Sequence, residues 1–210
     1  MKVILENNPE SLSLACQYLR KGKVISLATD TVYGLAVDAS DKKAVERLYN
    51  LKNRDLQKPI AIFVKDLAVA EKIFCFDETS KKIAQEFLPG MLTLVLKKKL
   101  QTPIKISENL NAAENFLGFR IVDRDFIKNL LEIFDGSLAV TSANPAGEEA
   151  AISAEMVKNY FLDCGLDLLI DGGTSVQKNA STVVRVKDGN IEILRQGAIP
   201  QISINKIQTL

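Results

Sequence analysis

Residues 116–141, FLGFRIVDRDFIKNLLEIFDGSLAVT, carry the decision about the fold. Phe116–Val122 is an apolar run rich in aromatic and β-branched residues, which suits a strand. Asp123 stands where a helix cap belongs, and Phe126, Ile127, Leu130, Leu131 and Phe134 then recur at helical spacing on one apolar face. Leu138–Thr141 is again a short apolar strand. Strand, helix and strand in immediate succession predict an α/β protein.

The same alternation extends toward the N-terminus. Asn8-Pro9 reads as a helix start, followed by Leu12, Ala15, Cys16 and Leu19 on one face and a stop at Gly22. Val24–Ala28 reads as a buried strand and residues 29–34 as a polar turn. A helix begins near Asp41, with Ala44, Val45 and Leu48 inward, and ends near the charged stretch Lys52–Lys58. Pro59–Val64 is a strand; Asp66–Ile73 and Thr79–Leu88 are helices. Pro89-Gly90 breaks the chain before the strand Leu92–Leu96, Lys97–Lys99 is its solvated end, and residues 101–114 form a polar loop. Leu166–Asp171, Ser181–Val186 and Ile191–Leu194 add short strands toward the C-terminus. With no repeat and no Pro/Ser-rich linker, one domain over residues 1–210 is expected, its motif-bearing core at about 10–200. It is built on a large twisted mixed sheet flanked by helices.

Composition narrows the function. Of 210 residues, 47% are hydrophobic and 25% charged, ordinary for a chain with a substantial core. Lys+Arg 27 against Asp+Glu 26 gives a formal net charge of +1, which excludes a strongly basic nucleic-acid coat but not a local basic groove. Histidine is absent, so Ser-His-Asp and Cys-His catalysis within this chain are excluded. Cys16, Cys75 and Cys164 are far apart and lack metal spacing, so packed, reduced thiols are expected. No signal-peptide pattern and no apolar stretch of ~18–20 residues occur, and the expectation is a soluble cytoplasmic protein.

Polar clusters sit where apolar strands end. In Thr29-Asp30-Thr31-Val32-Tyr33-Gly34, alternate hydroxyls can face one cavity, although a plain turn explains the segment equally well. Lys52, Arg54 and Lys58 follow a helix C-terminus, where the helix dipole accounts for them and a triphosphate clamp is the alternative. Arg120 interrupts an apolar strand and therefore either meets the open face or holds an anion such as a carboxylate. Thr141-Ser142-Ala143-Asn144-Pro145 reads as a turn or as an anion cradle. Ser181-Thr182 opens one strand and Arg195-Gln196-Gly197 closes another. The Walker phosphate loop and the dinucleotide glycine signature are absent, and no acidic cluster resembles a metal cage.

Taken in order, TDTVYGL, KNR with KPI, PGMLT, GFR, TSAN, DGG, STVV and RQG resemble the YrdC-like threonylcarbamoyl-AMP synthase family, from about Lys23 to Gly197 and in its short, single-domain form. The resemblance implies synthesis of threonylcarbamoyl-adenylate from L-threonine, bicarbonate and ATP with release of pyrophosphate. Hand-off to a complex that modifies tRNA would follow. It implies that Lys52 and Arg54 are catalytic, that Lys52, Arg54 and Lys58 bind the ATP phosphates, and that Ser142, Asn144 and Arg195 lie along the nucleotide. Thr31, Arg120, Thr141 and Ser181 would hold threonine, Arg120 on its carboxylate, with Thr29 and Tyr33 lining the site. Mg²⁺ would arrive on the phosphates. Two positions depart from the family pattern. Met91 replaces a usual proline in PGMLT, and Val122 replaces one after GFR, where it permits a regular strand hydrogen bond. The competing readings are a paralogue with nucleotide hydrolysis or other carbamoyl chemistry, and a double-stranded RNA-binding module using Lys52, Arg54, Lys58 and Lys97–Lys99.

Overall fold

In a computed structural model, which describes residues 1–110 and 115–209, the strands join into one 10-stranded sheet. In chain order these are β1 (Lys2–Leu5), β2 (Ile25–Leu27), β3 (Gly34–Asp38), β4 (Ala61–Phe63), β5 (Leu92–Lys97), β6 (Phe116–Arg120), β7 (Leu138–Ser142), β8 (Leu168–Asp171), β9 (Thr182–Lys187) and β10 (Asn190–Arg195). Their order across the sheet is β1-β8-β2-β3-β7-β4-β6-β5-β9-β10. The pairs β1/β8, β2/β8, β4/β6 and β5/β9 are parallel and the rest antiparallel, so the sheet is mixed as expected.

The helices are α1 (Ser11–Arg20), α2 (Lys42–Leu51), α3 (Leu67–Ile73), α4 (Glu78–Phe87), α5 (Asp125–Phe134), α6 (Ala154–Phe161) and α7 (Gln201–Asn205). They cover the two sheet faces unequally. On one face, Leu35, Val37, Ile62, Leu94, Leu117, Phe119, Ala139 and Val184 pack in the larger core with residues of α2, α3, α4 and α6, such as Leu48, Ile73, Ile83 and Phe161. On the other, Ile25, Leu27, Ala36, Leu138, Val140, Leu168 and Ile170 meet only α1 and α5, through Ala15, Cys16, Leu19, Ile127, Leu130 and Phe134. Those two helices lie over β8, β2, β3 and β7. Among the described residues, no helix packs over the same face of β6, β5 and β9, and that gap is where the site forms. Period-2 alternation sends Leu117 and Phe119 of β6 into the covered core and Phe116, Gly118 and Arg120 to the open side.

Several local expectations are corrected. Asn8 does not cap α1: the cap position is Glu10, and Asn8 Oδ1 instead accepts from the Glu10 N–H at 2.9 Å. Arg124, not Asp123, precedes α5; Asp123 is turned outward to Lys128 Nζ at 2.7 Å. Asp41 does cap α2, accepting from the Lys43 and Ala44 N–H groups. The fourth helix runs over Glu78–Phe87 with Asp77 as its cap, one residue earlier than its sequence pattern suggests. β1, β3, α6 and α7 are additional elements. Cys16 is buried, but Cys75 and Cys164 are exposed free thiols, which corrects the expectation of packed cysteines. β6 ends at Arg120, so Val122 takes no part in the ladder and packs instead in the smaller core. The expected loop at 101–114 contains a short 3₁₀ turn, Glu108–Leu110, with Leu110 buried; its last residues, 111–114, lie outside those described.

Candidate active site

The uncovered half of the sheet face encloses a cavity of about 530 Å³. Its floor consists of small or slender residues: Ala61 on β4, Thr93 and Val95 on β5, Gly118 on β6 and Val183 on β9. Gly118 keeps the floor deep, because a Cβ there would stand 3.1 Å from Thr93 Cγ2 and 3.3 Å from Ala61 Cβ. The walls come from the turn after β2, the segment after α2, the end of β7, the entry to β9 and the end of β10. Thr29, Thr31, Arg54, Lys58, Arg120, Thr141, Ser142, Ser181 and Arg195 all line it. Residues up to 166 positions apart in sequence therefore meet (Thr29 to Arg195).

Arg120 stands at the end of β6 with its side chain 4% exposed. Its Nη2 donates to Asp30 Oδ1 at 2.5 Å, its Nη1 to Thr31 Oγ1 at 2.9 Å and its Nε to Gly90 O at 2.9 Å. The anion beside Arg120 in the protein itself is thus Asp30, and one N–H on each terminal nitrogen is left for a ligand. Thr31 Oγ1 is in turn 2.9 Å from Thr29 Oγ1, which donates to Val32 O. The hydroxyls of the turn are fixed rather than free rotors.

Arg54 leaves α2 with its Nε on Lys58 O and its Nη2 on Pro59 O, both at 3.0 Å. Tyr49 braces the same segment by donating to Lys58 O at 3.1 Å. Burial lowers the Arg54 pKa, a desolvation that increases its attraction for an anion. Across the cavity, Arg195 Nη2 donates to Ser181 O at 2.8 Å and lies 3.2 Å from Ser181 Oγ. Ser181 Oγ also pairs with Thr93 Oγ1 at 2.8 Å. A substrate entering here meets oriented guanidinium groups and hydroxyls whose orientation is already set.

Lys52 and Asn144 are not cavity-lining residues. Lys52 is 3% exposed, and its Nζ donates to Ser142 O at 2.6 Å, Ser142 Oγ at 2.9 Å and Asn144 Oδ1 at 2.8 Å. Asn144 Nδ2 is spent on Pro145 O and Glu148 O. Lys52 and Asn144 therefore act from behind the wall, through Ser142. Burial, followed by repulsion from Arg54 and Arg195, brings the Lys52 pKa down to about 7. A surface groove cannot include an ammonium placed there. Lys99 Nζ donates to Glu71 O, and Lys97 borders a different hollow from the one that Arg54 and Lys58 line.

Tyr33 is fully buried. Its hydroxyl donates to Gly173 O at 2.6 Å and accepts from the Gly172 N–H at 3.1 Å, which ties the turn after β2 to the Asp171-Gly172-Gly173 loop. Burial raises its pKa to about 12. Glycine suits position 172 beside it, since a Cβ would stand 2.8 Å from Ala28 Cβ and would press on the Arg124–Glu6 ion pair. Thr182 holds the chain after β10: its Oγ1 donates to Ile199 O and accepts from the Gly197 and Ile199 N–H groups.

Thr93, Gln57, Phe116, Gly118 and Arg185 also line the cavity, and no role attaches to them from the sequence reading. A signal existed for one of them. Ser181, Val183 and Arg185 alternate along β9 and must share a face. Arg185 is held by Glu192 on β10 and lies 5.9 Å from the centre of the Phe116 ring. None of the lining residues is a carboxylate. Among the described residues there is also no group of ≥ 3 His, Cys, Asp or Glu able to hold a metal. The lining therefore does not fit a resident divalent cation.

These features define a class: an α/β protein whose mixed sheet, bare of helices over half of one face, presents cations and hydroxyls to a small anionic ligand. The family described as Sua5/YciO/YrdC, telomere recombination, matches residues 17–197. A provisionally named threonylcarbamoyl-AMP synthase of Methanocaldococcus jannaschii is 34% identical over 201 residues, covering 94% of this chain and 92% of its own length. The threonylcarbamoyl-AMP synthase of Mus musculus is 32% identical over 195 residues, covering 90% of this chain and 67% of its own. The crystal structure of Pyrococcus abyssi Sua5 complexed with L-threonine superposes with a TM-score of 0.89 at 28% identity, over 98% of this chain and 60% of that one. The chain spans about 60% of that longer protein. It belongs to the Sua5/YciO/YrdC family.

Proposed function

We propose that this protein is a threonylcarbamoyl-AMP synthase, which joins L-threonine, bicarbonate and ATP into threonylcarbamoyl-adenylate and releases pyrophosphate. The observation that carries the proposal is the convergence of Arg54, Arg195, Arg120, Thr31 and Ser181 on one cavity, in a chain whose relatives bear that name. Phosphate oxygens fall to Arg54, Lys58 and Arg195. The threonine carboxylate falls to the remaining N–H groups of Arg120, and its hydroxyl to Thr31, Thr141 or Ser181. A wall built to hydrogen-bond a hydroxyl rejects analogues that lack it.

The chemistry is catalysis by placement. The threonine amine attacks the bicarbonate-derived carbon, water leaves, and a carbamate oxygen then displaces pyrophosphate from the α-phosphorus in line. No protein nucleophile is needed. Holding reactants in register supplies up to ~7–11 kcal/mol in favourable cases, and preorganised cations stabilise the phosphate charge that shifts. Mg²⁺ on the phosphates adds to that balance when the nucleotide brings it. The adenylate is then consumed by a transfer complex acting on tRNA, in the cytoplasm. No helix among the described residues is long and apolar enough to cross a membrane.

The test is pyrophosphate release by the purified protein. The reading expects release that needs threonine and bicarbonate together. Release independent of threonine would instead support a nucleotide-hydrolysing paralogue.

A further inference from the structure

The sheet is open, and its two edges are built differently. β10, at one edge, shifts register between Ile193 and Arg195, and its Glu192 is tied to Arg185 on β9. Bulges and charges of that kind discourage the addition of a further strand. β1, at the other edge, is regular: Lys2, Val3, Ile4 and Leu5 pair in parallel with Leu168, Leu169, Ile170 and Asp171 of β8. The Lys2 N–H donates to Asp167 O and the Glu6 N–H to Asp171 O, so Lys2, Ile4 and Glu6 turn their backbone groups toward β8. Val3 and Leu5 turn theirs the other way, where no strand lies among the described residues. Leu5 O accepts from the Asn8 N–H at 3.1 Å and keeps a second lone pair. The side chains at Val3 and Leu5 are unusually open for apolar residues in a strand, at 41% and 60% exposure.

The stretch Lys2-Val3-Ile4-Leu5-Glu6 is complementary to itself when laid antiparallel. A two-fold axis at Ile4 sets that residue opposite the partner's Ile4, Val3 opposite the partner's Leu5 and Lys2 opposite the partner's Glu6. Symmetry makes the last two contacts twice. Val3 and Leu5 then occupy hydrogen-bonded positions and exchange four backbone bonds across the seam. Ile4 and the Lys2–Glu6 pairs fall at the closer, non-hydrogen-bonded positions. Ile4 packs against the smaller core, so that core gains apolar contact at the axis. Lys2 makes no ion pair among the described residues. Glu6 is held by Arg124, and its carboxylate has acceptor sites left for an ammonium. A slip of two residues either way sets Lys2 or Glu6 opposite the partner's Ile4 and loses both charge pairs. The charges therefore select one register.

We propose that β1 is a docking edge for a second copy of this chain, which joins it in a two-fold dimer with one sheet running through both. A seam of one short strand lies at the small end of specific interfaces, and the expected dissociation constant is about 10–100 μM. In the sheet order, β2, β3, β7 and β4 separate the β1–β8 edge from the cavity strands β6, β5 and β9, so dimerisation leaves both cavities open. The proposal is independent of the synthase reading.

Sedimentation velocity of the untagged protein, from about 1 μM to about 1 mM to bracket that constant, tests it. Wild type should pass from monomer to dimer over the range; a monomer throughout overturns the proposal. Lys2→Glu sets like charges opposite each other twice, and it should weaken association roughly 10–100-fold. Unchanged association in Lys2→Glu would place the contact elsewhere and overturn the proposal as well. Disulfide trapping then reads the register, in a chain that also carries Cys75→Ser and Cys164→Ser to remove the exposed thiols. Ile4→Cys should give a covalent dimer under mild oxidation, because residues opposed at a non-hydrogen-bonded position have Cα atoms about 4.5 Å apart, within disulfide range. Leu5→Cys should give none, since its two copies are offset along the strands. No bridge in Ile4→Cys, or an equally fast bridge in Leu5→Cys, overturns the two-fold at Ile4.

Discussion

Arg120 Nη2 stands 2.5 Å from Asp30 Oδ1, and the two side chains are 4% and 11% exposed. That buried pair joins the end of β6 to the turn after β2, while the same guanidinium reaches Gly90 O in the turn before β5. The stretches GFR, TDTVYG and PGMLT, read separately in the sequence, are one clamp in space. An arginine so placed costs desolvation, and the Asp30 carboxylate and fixed acceptors offset it.

Arg120→Ala leaves Asp30 buried without its counter-charge. The expected loss is about 3–5 kcal/mol of stability, a fall of roughly 6–20 °C in Tm for a domain of this size. In the protein that remains folded, threonine affinity should fall far more than ATP affinity. Calorimetry with each ligand measures the ratio; equal losses would place the residue outside the threonine site.

Arg54→Ala should leave the fold intact, since its donors go to the exposed Lys58 and Pro59 segment. Pyrophosphate release should drop about 10²–10³-fold, the scale for removing one preorganised donor to developing charge. Unchanged turnover in a variant with wild-type melting would remove Arg54 from the site.

Gly118→Val fills the cavity floor. The added atoms press on Thr93 and Ala61, and overpacking of this kind costs about 1–3 kcal/mol. The larger effect should be on ligands: binding of ATP and threonine should weaken together, in contrast to Arg120→Ala. Chemical denaturation and titration calorimetry separate the two effects.

Tyr33→Phe removes the hydroxyl that links Gly172 and Gly173 to the turn after β2, at an expected cost of about 1–3 kcal/mol. It should also change the alkaline limb of stability. A phenol raised from 10.0 to about 12 on folding contributes stability that is complete below pH 10 and lost as pH rises toward 12, roughly 2–3 kcal/mol. Urea unfolding between pH 9 and pH 12 should show that loss in wild type and not in Tyr33→Phe.

Much of this arrangement was legible in the sequence, and the gaps have physical causes. Arg120 stood out because it interrupts an apolar strand, and Phe126–Phe134 because their period is helical. β3 was hidden because Gly34–Asp38 follows directly on a polar turn, with no breaker between them to mark its start. α6 is announced by Ser153, which caps it through the Met156 N–H, and by Ala154, Val157 and Phe161 on its inner face; its polar flanks masked that short signal. The burial of Lys52 had no local signature at all. KNR at a helix exit looks like a solvated charge run, and it is Ser142 and Asn144, 90 and 92 positions away, that draw the ammonium inward. The bare half of the sheet face was equally unreadable, because it depends on which strands α1 and α5 cover.

The central claim is that this single cavity seats a nucleoside triphosphate beside threonine and joins them through a carbamate. Mass spectrometry of reactions run with the purified protein tests it directly, with ATP, threonine and bicarbonate omitted in turn. The account predicts threonylcarbamoyl-adenylate in the complete mixture, its loss in each omission, and a mass shift when the bicarbonate carries ¹³C. A complete mixture that yields no adenylate, or an adenylate without the ¹³C label, would contradict it.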